Sequence, residues 1–359
     1  MKARNASKRI GAIAGAGVLA AGLAMGASAQ ERDSFSIAWT IYAGWVPWQY
    51  AEDSGIMKKW ADKYDIEVDI VQVNDYIESI NQYTAGQFDG VVATSMDGLS
   101  IPAASGIDTT ALIVGDYSDG NDGLVSKDAD SIEGLEGETV HLVELSVSHY
   151  LLVRALDSVG LEERDINVVN ISDADLVSAF QTDDVRHVAT WNPLLTEVAN
   201  YPGATLLFDS SQIPGHIKDL TLVNTDTLED NPELGKALVG AWYETMSILE
   251  SDTEEGREAR AMLGEISGTD REGYEAQLAG MKMFWEPQMS VDFINSEDAR
   301  EAMDSVRQFS FEKGLLGQGA MSPDFVGIEF PDGSIMGDES NVQLRFNDTY
   351  MQMAADGEI

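Results

Sequence analysis

Short apolar runs alternate along this chain with stretches whose apolar residues recur every three or four positions. Runs of the first kind, rich in β-branched residues, predict strands, and stretches of the second kind predict helices. The series opens at Ser36, and Gly44 and Pro47 then turn the chain into a helical stretch reaching Trp60. Residues 66–73 alternate almost regularly, and 76–85 set Tyr76, Ile80, Tyr83 and Thr84 on one helical face. Strands follow at 88–94 and 109–115, with a short helix at 96–104 between them. Strands and helices of these lengths in alternation imply parallel pairing through right-handed crossovers.

Residues 116–123 (Asp-Tyr-Ser-Asp-Gly-Asn-Asp-Gly) form a dense turn cluster that marks a crossing between domains. Its order does not fit a calcium loop with a distal Glu. A second alternating block follows, with strands expected at 139–145, 166–171, 185–191 and 205–208. A strand at 219–224 leads back to the first domain. Beyond it the pattern is helical, with a strong apolar stripe at Leu234, Leu238, Ala241, Trp242, Thr245 and Leu249 and further helices at 274–283 and 296–313. Residues 314–341 are turn-rich and the tail is polar. The expected architecture is two α/β lobes joined by a hinge, with a cleft between them. Lobe 1 takes residues 33–118 and 222–359, and lobe 2 takes 119–221. Such a body suits closure on a small ligand.

The first 29 residues stand apart. Lys2, Arg4, Lys8 and Arg9 precede an apolar run and an Ala27-Ser28-Ala29 cleavage pattern, which predicts a Sec-type signal peptide and a periplasmic protein. With no cysteine, the chain offers no lipoprotein anchor, disulfide or thiolate metal site. It carries 22 Lys and Arg against 62 Asp and Glu, a net charge of −40. That balance excludes nucleic acid and anionic membranes as partners, since both require a basic face. No phosphate-binding glycine loop, metalloprotease motif or nucleophile elbow is present. Of the four histidines, His141 and His187 fall within strands and read as hydrogen-bonded structural groups. No catalytic constellation, cofactor or metal is indicated.

Three of the seven tryptophans, Trp39, Trp45 and Trp48, lie within ten positions of one another. Together with the Asn74–Gly86 and Leu145–Leu152 segments and Thr190-Trp-Asn-Pro193, this stretch resembles the solute-binding proteins of nitrate/taurine-type ABC importers. Within them it is most similar to the urea carboxylase-associated branch, whose ligand is urea or guanidinium. The resemblance implies a bilobal periplasmic-binding fold of type II-like organisation, no enzymatic activity, a monomer and an inner-membrane ABC permease as partner. It further implies ligand contacts at Tyr42 and Trp45, at Ser95 and Asp97, at Asp116 and Tyr117, at Glu144, Ser146 and Ser148, and at Trp191 and Asn192. Trp39 and Trp48 are left to packing.

Anion sites favour backbone N–H groups, helix N-termini and arginine. Asp97, Asp116 and Glu144 at the implied contact positions would oppose an anion, whereas carboxylates and aromatic faces suit a planar cation. Guanidinium is therefore expected ahead of neutral urea. The alternatives are a sulfonate- or nitrate-type anion on the same fold, and an enzyme resembling the thiamine-pyrimidine synthase. The missing cysteines speak against the enzyme, which is Cys-rich around its iron site.

Overall fold

The computed structural model describes residues 32–359, so the signal peptide expected at 1–29 lies outside the described residues. Strands β1 (Ser34–Trp39), β2 (Glu67–Gln72), β3 (Gly90–Thr94) and β4 (Thr109–Ser118) begin a large sheet. The chain then crosses to a second sheet made of β5 (Asp122–Ser126), β6 (Thr139–Leu142), β7 (Asn167–Asn170), β8 (His187–Trp191) and β9 (Thr205–Asp209). It returns through β10 (Lys218–Asn224) and adds β11 (Met281–Met283), β12 (Gly327–Glu329), β13 (Ile335–Met336) and β14 (Val342–Phe346) to the first sheet.

The large sheet has the order β13-β12-β14-β4-β10-β3-β1-β2, with β11 alongside β4. Its β1–β2 and β1–β3 pairs are parallel, as the alternating pattern predicts. The returning β10 wedges between β3 and β4, antiparallel to both. The small sheet has the order β7-β6-β8-β5-β9. Helices packed on these sheets make the two-lobed α/β body that was expected. Among the described residues no helix is long and apolar enough to cross a membrane.

Three stretches depart from the sequence reading. The polar cluster at 116–123 is not one turn: Asp116 to Ser118 end β4, and Asp122 and Gly123 begin β5. The side chains of Asp116, Ser118 and Asp122 are buried, so tertiary surroundings override turn propensity. The helix expected to reach Met283 stops at Leu278, and Met281–Met283 pairs with β4 instead. The turn-rich region and polar tail contribute β12, β13 and β14, of which β14 lies parallel to β4.

Trp39 and Trp48 are fully buried, and Trp48 packs against Trp242 with ring centroids 5.1 Å apart. Trp242 belongs to the long helix Pro232–Glu250, whose expected apolar stripe faces the core. The same helix takes Trp60 against Gly240, where a β-carbon would lie 2.4 Å from the indole ring. Gly240→Ala should therefore destabilise the protein by about 1–3 kcal/mol through overpacking. Urea denaturation would read this, and a midpoint equal to wild type would show that the contact yields freely.

Candidate functional site

Strand alternation places the chemistry. Asp219 of β10 lies directly opposite Thr94 of β3 and Asp116 of β4, so the three share one face of the large sheet. On the small sheet Asp122 lies opposite Trp191 and shares a face with it. Between the two sheets is a nearly closed pocket lined by Tyr42, Trp45, Tyr76, Thr94, Asp122, Val147, Trp191, Ile217 and Asp219, with a cavity volume of about 10 Å³. That is far below the ~300–1,000 Å³ of sites for drug-sized ligands. In this closed form it has room for about one water, so a larger solute needs the lobes to part.

Aromatic rings form a continuous wall. Tyr42 meets Trp45 edge-on at 5.0 Å, Trp45 meets Tyr76 at 5.4 Å, and Tyr76 meets Trp191 edge-on at 5.7 Å. The last contact joins the lobes. Tyr76 is held by its hydroxyl, which donates to Asp97 Oδ2 at 2.7 Å and accepts from the Thr94 N–H at 3.1 Å. Its helix, Tyr76–Thr84, starts where the Asp75 side chain accepts the Glu78 N–H.

Behind these rings stand four aspartates, Asp97, Asp116, Asp122 and Asp219, none more than 2% exposed. No Lys, Arg or His lines the pocket. Burial pushes the carboxyls of Asp116 and Asp122 up to about 7, with the neighbouring Asp116 charge adding to the rise at Asp122. Asp219 is raised well above the carboxylate range, by burial first and then by Asp116 and Asp122. Asp97 rises only to about 6, because Tyr76, Thr94 and the Val147 N–H offset part of its burial. Neither oxygen of Asp116 has a hydrogen-bond donor among the described residues, and one oxygen each of Asp97, Asp122 and Asp219 also lacks one. Asp116 and Asp219 therefore face each other as two acceptors. They must share a proton or receive a cation. Close approach of Gly44 seals this corner, since a β-carbon there would lie 2.8 Å from Asp116 Oδ2. Among the described residues no group of three or more His, Asp or Glu is arranged to hold a metal ion.

Of the residues singled out in the sequence, Tyr42, Trp45 and Trp191 line the pocket, and Asp97 and Asp116 back it. Ser95 and Ser148 are buried near it with unpartnered hydroxyls. Four others are placed elsewhere. Tyr117 follows Asp116 on β4 and so points to the opposite face, where it packs on Phe293 in an outer groove. Glu144 is exposed and lines a groove at the seam with Asp75 and Asp173. Ser146 caps the helix Val147–Val159, its hydroxyl donating to the Val143 carbonyl and accepting from the Ser148 N–H. Asn192 is occupied by Asn121 and Thr196. Conversely, Tyr76, Asp122 and Asp219 belong to the site and escaped the sequence reading.

This two-sheet body recurs in solved structures. The alkanesulfonate-binding protein SsuA from Xanthomonas axonopodis pv. citri superposes with a TM-score of 0.64 at 18% identity, over 81% of this chain and 96% of that one. The nitrate-binding protein NrtA from Synechocystis PCC 6803 gives 0.57 at 11%, over 90% and 99%. The fold is that of periplasmic binding proteins. Residues 38–264, from the end of β1 into the helix Glu254–Ile266, match the NMT1-like family. The chain belongs to the NMT1-like family. The taurine-binding periplasmic protein of Escherichia coli (strain K12) is 26% identical over 117 residues, which is 32% of this chain and 36% of that relative. The chain thus aligns with about a third of the length of this curated relative. The matched NMT1-like region includes every residue lining the pocket.

The carboxyl cluster gives this NMT1-like protein a definite pH dependence. Unfolded, each Asp ionises near pH 4. Folded, Asp97 keeps its proton to about 6 and Asp116 and Asp122 to about 7. The folded state binds more protons across that window, so the stability these groups contribute is full below about pH 4 and is lost as pH rises towards 7. Thermal unfolding at pH 4.5, 6.0 and 7.5 should show the ligand-free protein losing more stability with rising pH than its Asp116→Asn variant. Equal slopes would mean that Asp116 titrates as an ordinary surface carboxylate.

Proposed function

We propose that this protein is the solute-binding component of an ABC importer. It closes its two lobes on a small planar cation of the guanidinium type and delivers it to an inner-membrane permease. The supporting observation is the pocket itself, with four aromatic rings around it and four buried aspartates behind it, and no basic side chain among its lining residues. A guanidinium ion offers six N–H donors in one plane. These match carboxylate oxygens that have no donor of their own, and the flat face of the ion stacks on aromatic rings for roughly 0.5–2 kcal/mol. A quaternary ammonium would fit the rings but leave the oxygens unpaired. Urea would supply fewer donors and no charge. The resemblance to the urea carboxylase-associated branch agrees with either nitrogenous solute. Capture rather than catalysis is supported by the relatives, which are named as binding proteins. The expected division into lobes at 119 and 222 places the hinge beside β4 and β10, and a periplasmic location goes with this role.

A second reading, an anion such as a sulfonate or nitrate, draws on the relatives named for taurine, alkanesulfonate and nitrate. One structural feature favours it: the helix Val147–Val159 starts at the pocket, and a helix N-terminus attracts anions. Here, however, the Val147 N–H already acts on the Asp97 carboxyl, the chain's own anion. A bound anion would also meet several carboxylates in a poorly solvated site, at a cost of several kcal/mol once they ionise.

Thermal unfolding with low-millimolar guanidinium, urea, taurine and nitrate separates the readings. Guanidinium at 100 times its Kd should add about 2.7 kcal/mol of stability. Its affinity should rise between pH 5.5 and 7.5, because protons and the cation compete for the same carboxylates. Asp219→Asn should weaken it about tenfold or more. A response to taurine or nitrate without one to guanidinium would overturn the proposal. Separately, Asp97→Ala should let nitrate or methanesulfonate bind at pH 5.5, where the remaining carboxyls are protonated. Asp97→Asn, which keeps an acceptor near Val147, should not. Titration calorimetry of the two variants decides whether Asp97 bars anions.

A further inference from the structure

The aromatic pair that joins the lobes stands at the edge of the buried pocket. Residues flanking Tyr76 and Trp191 in sequence line grooves that open at the seam. Asn74, Pro193 and Leu194 border one groove together with Ile41, Gln72 and Asp173, and Asp75 and Ile77 border the other. Tyr76 and Trp191 themselves line the pocket and touch edge to face, with these groove-lining residues next to them in the chain, and we read them as the partition between pocket and grooves. Both are nearly inaccessible, at 2% and 5% exposure.

The partition is fixed on both sides. Tyr76 is tied by its hydroxyl to Asp97 and Thr94. Trp191 ends β8, opposite Asp122, and the next residue is clamped from four directions. The Asn192 N–H donates to the Asn121 carbonyl at 2.9 Å, and its carbonyl accepts from the Ala43 N–H of the opposite lobe at 3.3 Å. Its side chain donates to Asn121 Oδ1 at 2.6 Å and accepts from Thr196. These bonds fix the backbone next to Trp191 across the closed seam, and its indole is packed at 5% exposure against Tyr76. The remaining wall residues near it, Val147 and Ile217, are apolar and buried.

Resting on the reading of this pocket as a guanidinium site, we infer that Trp191 sets its size limit, so that the closed protein takes unsubstituted guanidinium and rejects N-alkylated guanidines. The planar ion satisfies the carboxylates inside the partition. With two of its edges on carboxylates, a carbon on the remaining nitrogen is directed at the aromatic wall, where the Tyr76–Trp191 contact leaves it no space. Removing the indole joins the pocket to the groove of Ile41, Asn74, Asp173 and Leu194, which then receives the substituent.

Titration calorimetry of the full chain with guanidinium, methylguanidine and ethylguanidine tests this. In the wild type ethylguanidine should bind about 10- to 100-fold more weakly than guanidinium, the range expected when extra carbon is forced into a close-packed site. Trp191→Ala should weaken guanidinium itself, by loss of an aromatic face, yet bring the ethylguanidine-to-guanidinium ratio close to one. Trp191→Phe retains an aromatic face in a smaller volume and should give an intermediate ratio, which decides the matter where the alanine variant does not fold. A purely structural role for Trp191 would lower both affinities and leave the ratio unchanged. Equal wild-type affinity for the two ligands, or an unchanged ratio in the variants, would overturn the size limit while leaving the cation reading intact. No wild-type binding of any guanidine compound would overturn both.

Discussion

Four carboxyl groups buried at one seam, with no basic side chain among the residues lining the pocket they back, set the terms for the rest of this structure. A lone ionised carboxylate taken out of water is so costly that the group ordinarily keeps its proton instead. Here the nearby Asp116 raises both Asp122 and Asp219 further, and Asp122 adds to the rise at Asp219. The ligand-free protein therefore keeps protons on these carboxyls to higher pH than on exposed ones. The fold tolerates this because the surrounding groups are neutral and rigid: Tyr42 and Trp45 on a tight loop, Tyr76 on a capped helix, Trp191 on a clamped strand end. Burial and the nearby aspartates also push the Tyr42 hydroxyl well above its ordinary pKa, so it stays a neutral donor.

The surface tells a separate story. Of the 62 acidic residues, most lie outside the seam and are solvated. A net charge of −40 attracts cations in general, but over distances that salt shortens to about 10 Å or less. The few carboxylates behind the aromatic wall are a different population, because salt does not screen them there. Composition alone could not separate the two populations, since both contribute identically to the count.

Much of the fold was legible because periodicity reports burial. The β1–β2–β3 block, the helix Pro232–Glu250 and the return through β10 all show in the sequence, since each has an apolar face of the expected period. The site was legible only in part. Tyr42, Trp45 and Trp191 stand out as aromatics near strand ends. Asp122 and Asp219 do not, because a buried aspartate at a strand's first or second residue looks the same as a turn former. Tyr117 and Asp116 are neighbours with opposite orientations, and nothing local says which of them faces the cleft. That is decided by register against β10, a contact made with residues a hundred positions away. The same blindness let residues 116–123 read as one loop, when their outer members belong to two sheets.

Register also explains how the seam stays free of positive charge. Lys218 and Asp219 are consecutive on β10 and both are buried, yet they serve opposite faces of the sheet. The Lys218 amine has no partner among the described residues, and burial pushes it down to about 7. It is an available counter-charge that the site never receives. A slip of one residue would exchange the two side chains, neutralise the carboxyl cluster and turn Asp219 away from the pocket. The ladder between β10 and β4 shifts register between Asp219 and Leu220 and again between Thr221 and Leu222. Such irregularities re-aim side chains and lock pairing in place next to functional sites. The first falls immediately after the residue whose direction matters. The acidic character of the pocket thus rests less on having many acids than on a strand register that keeps the adjacent lysine on the other side of the sheet.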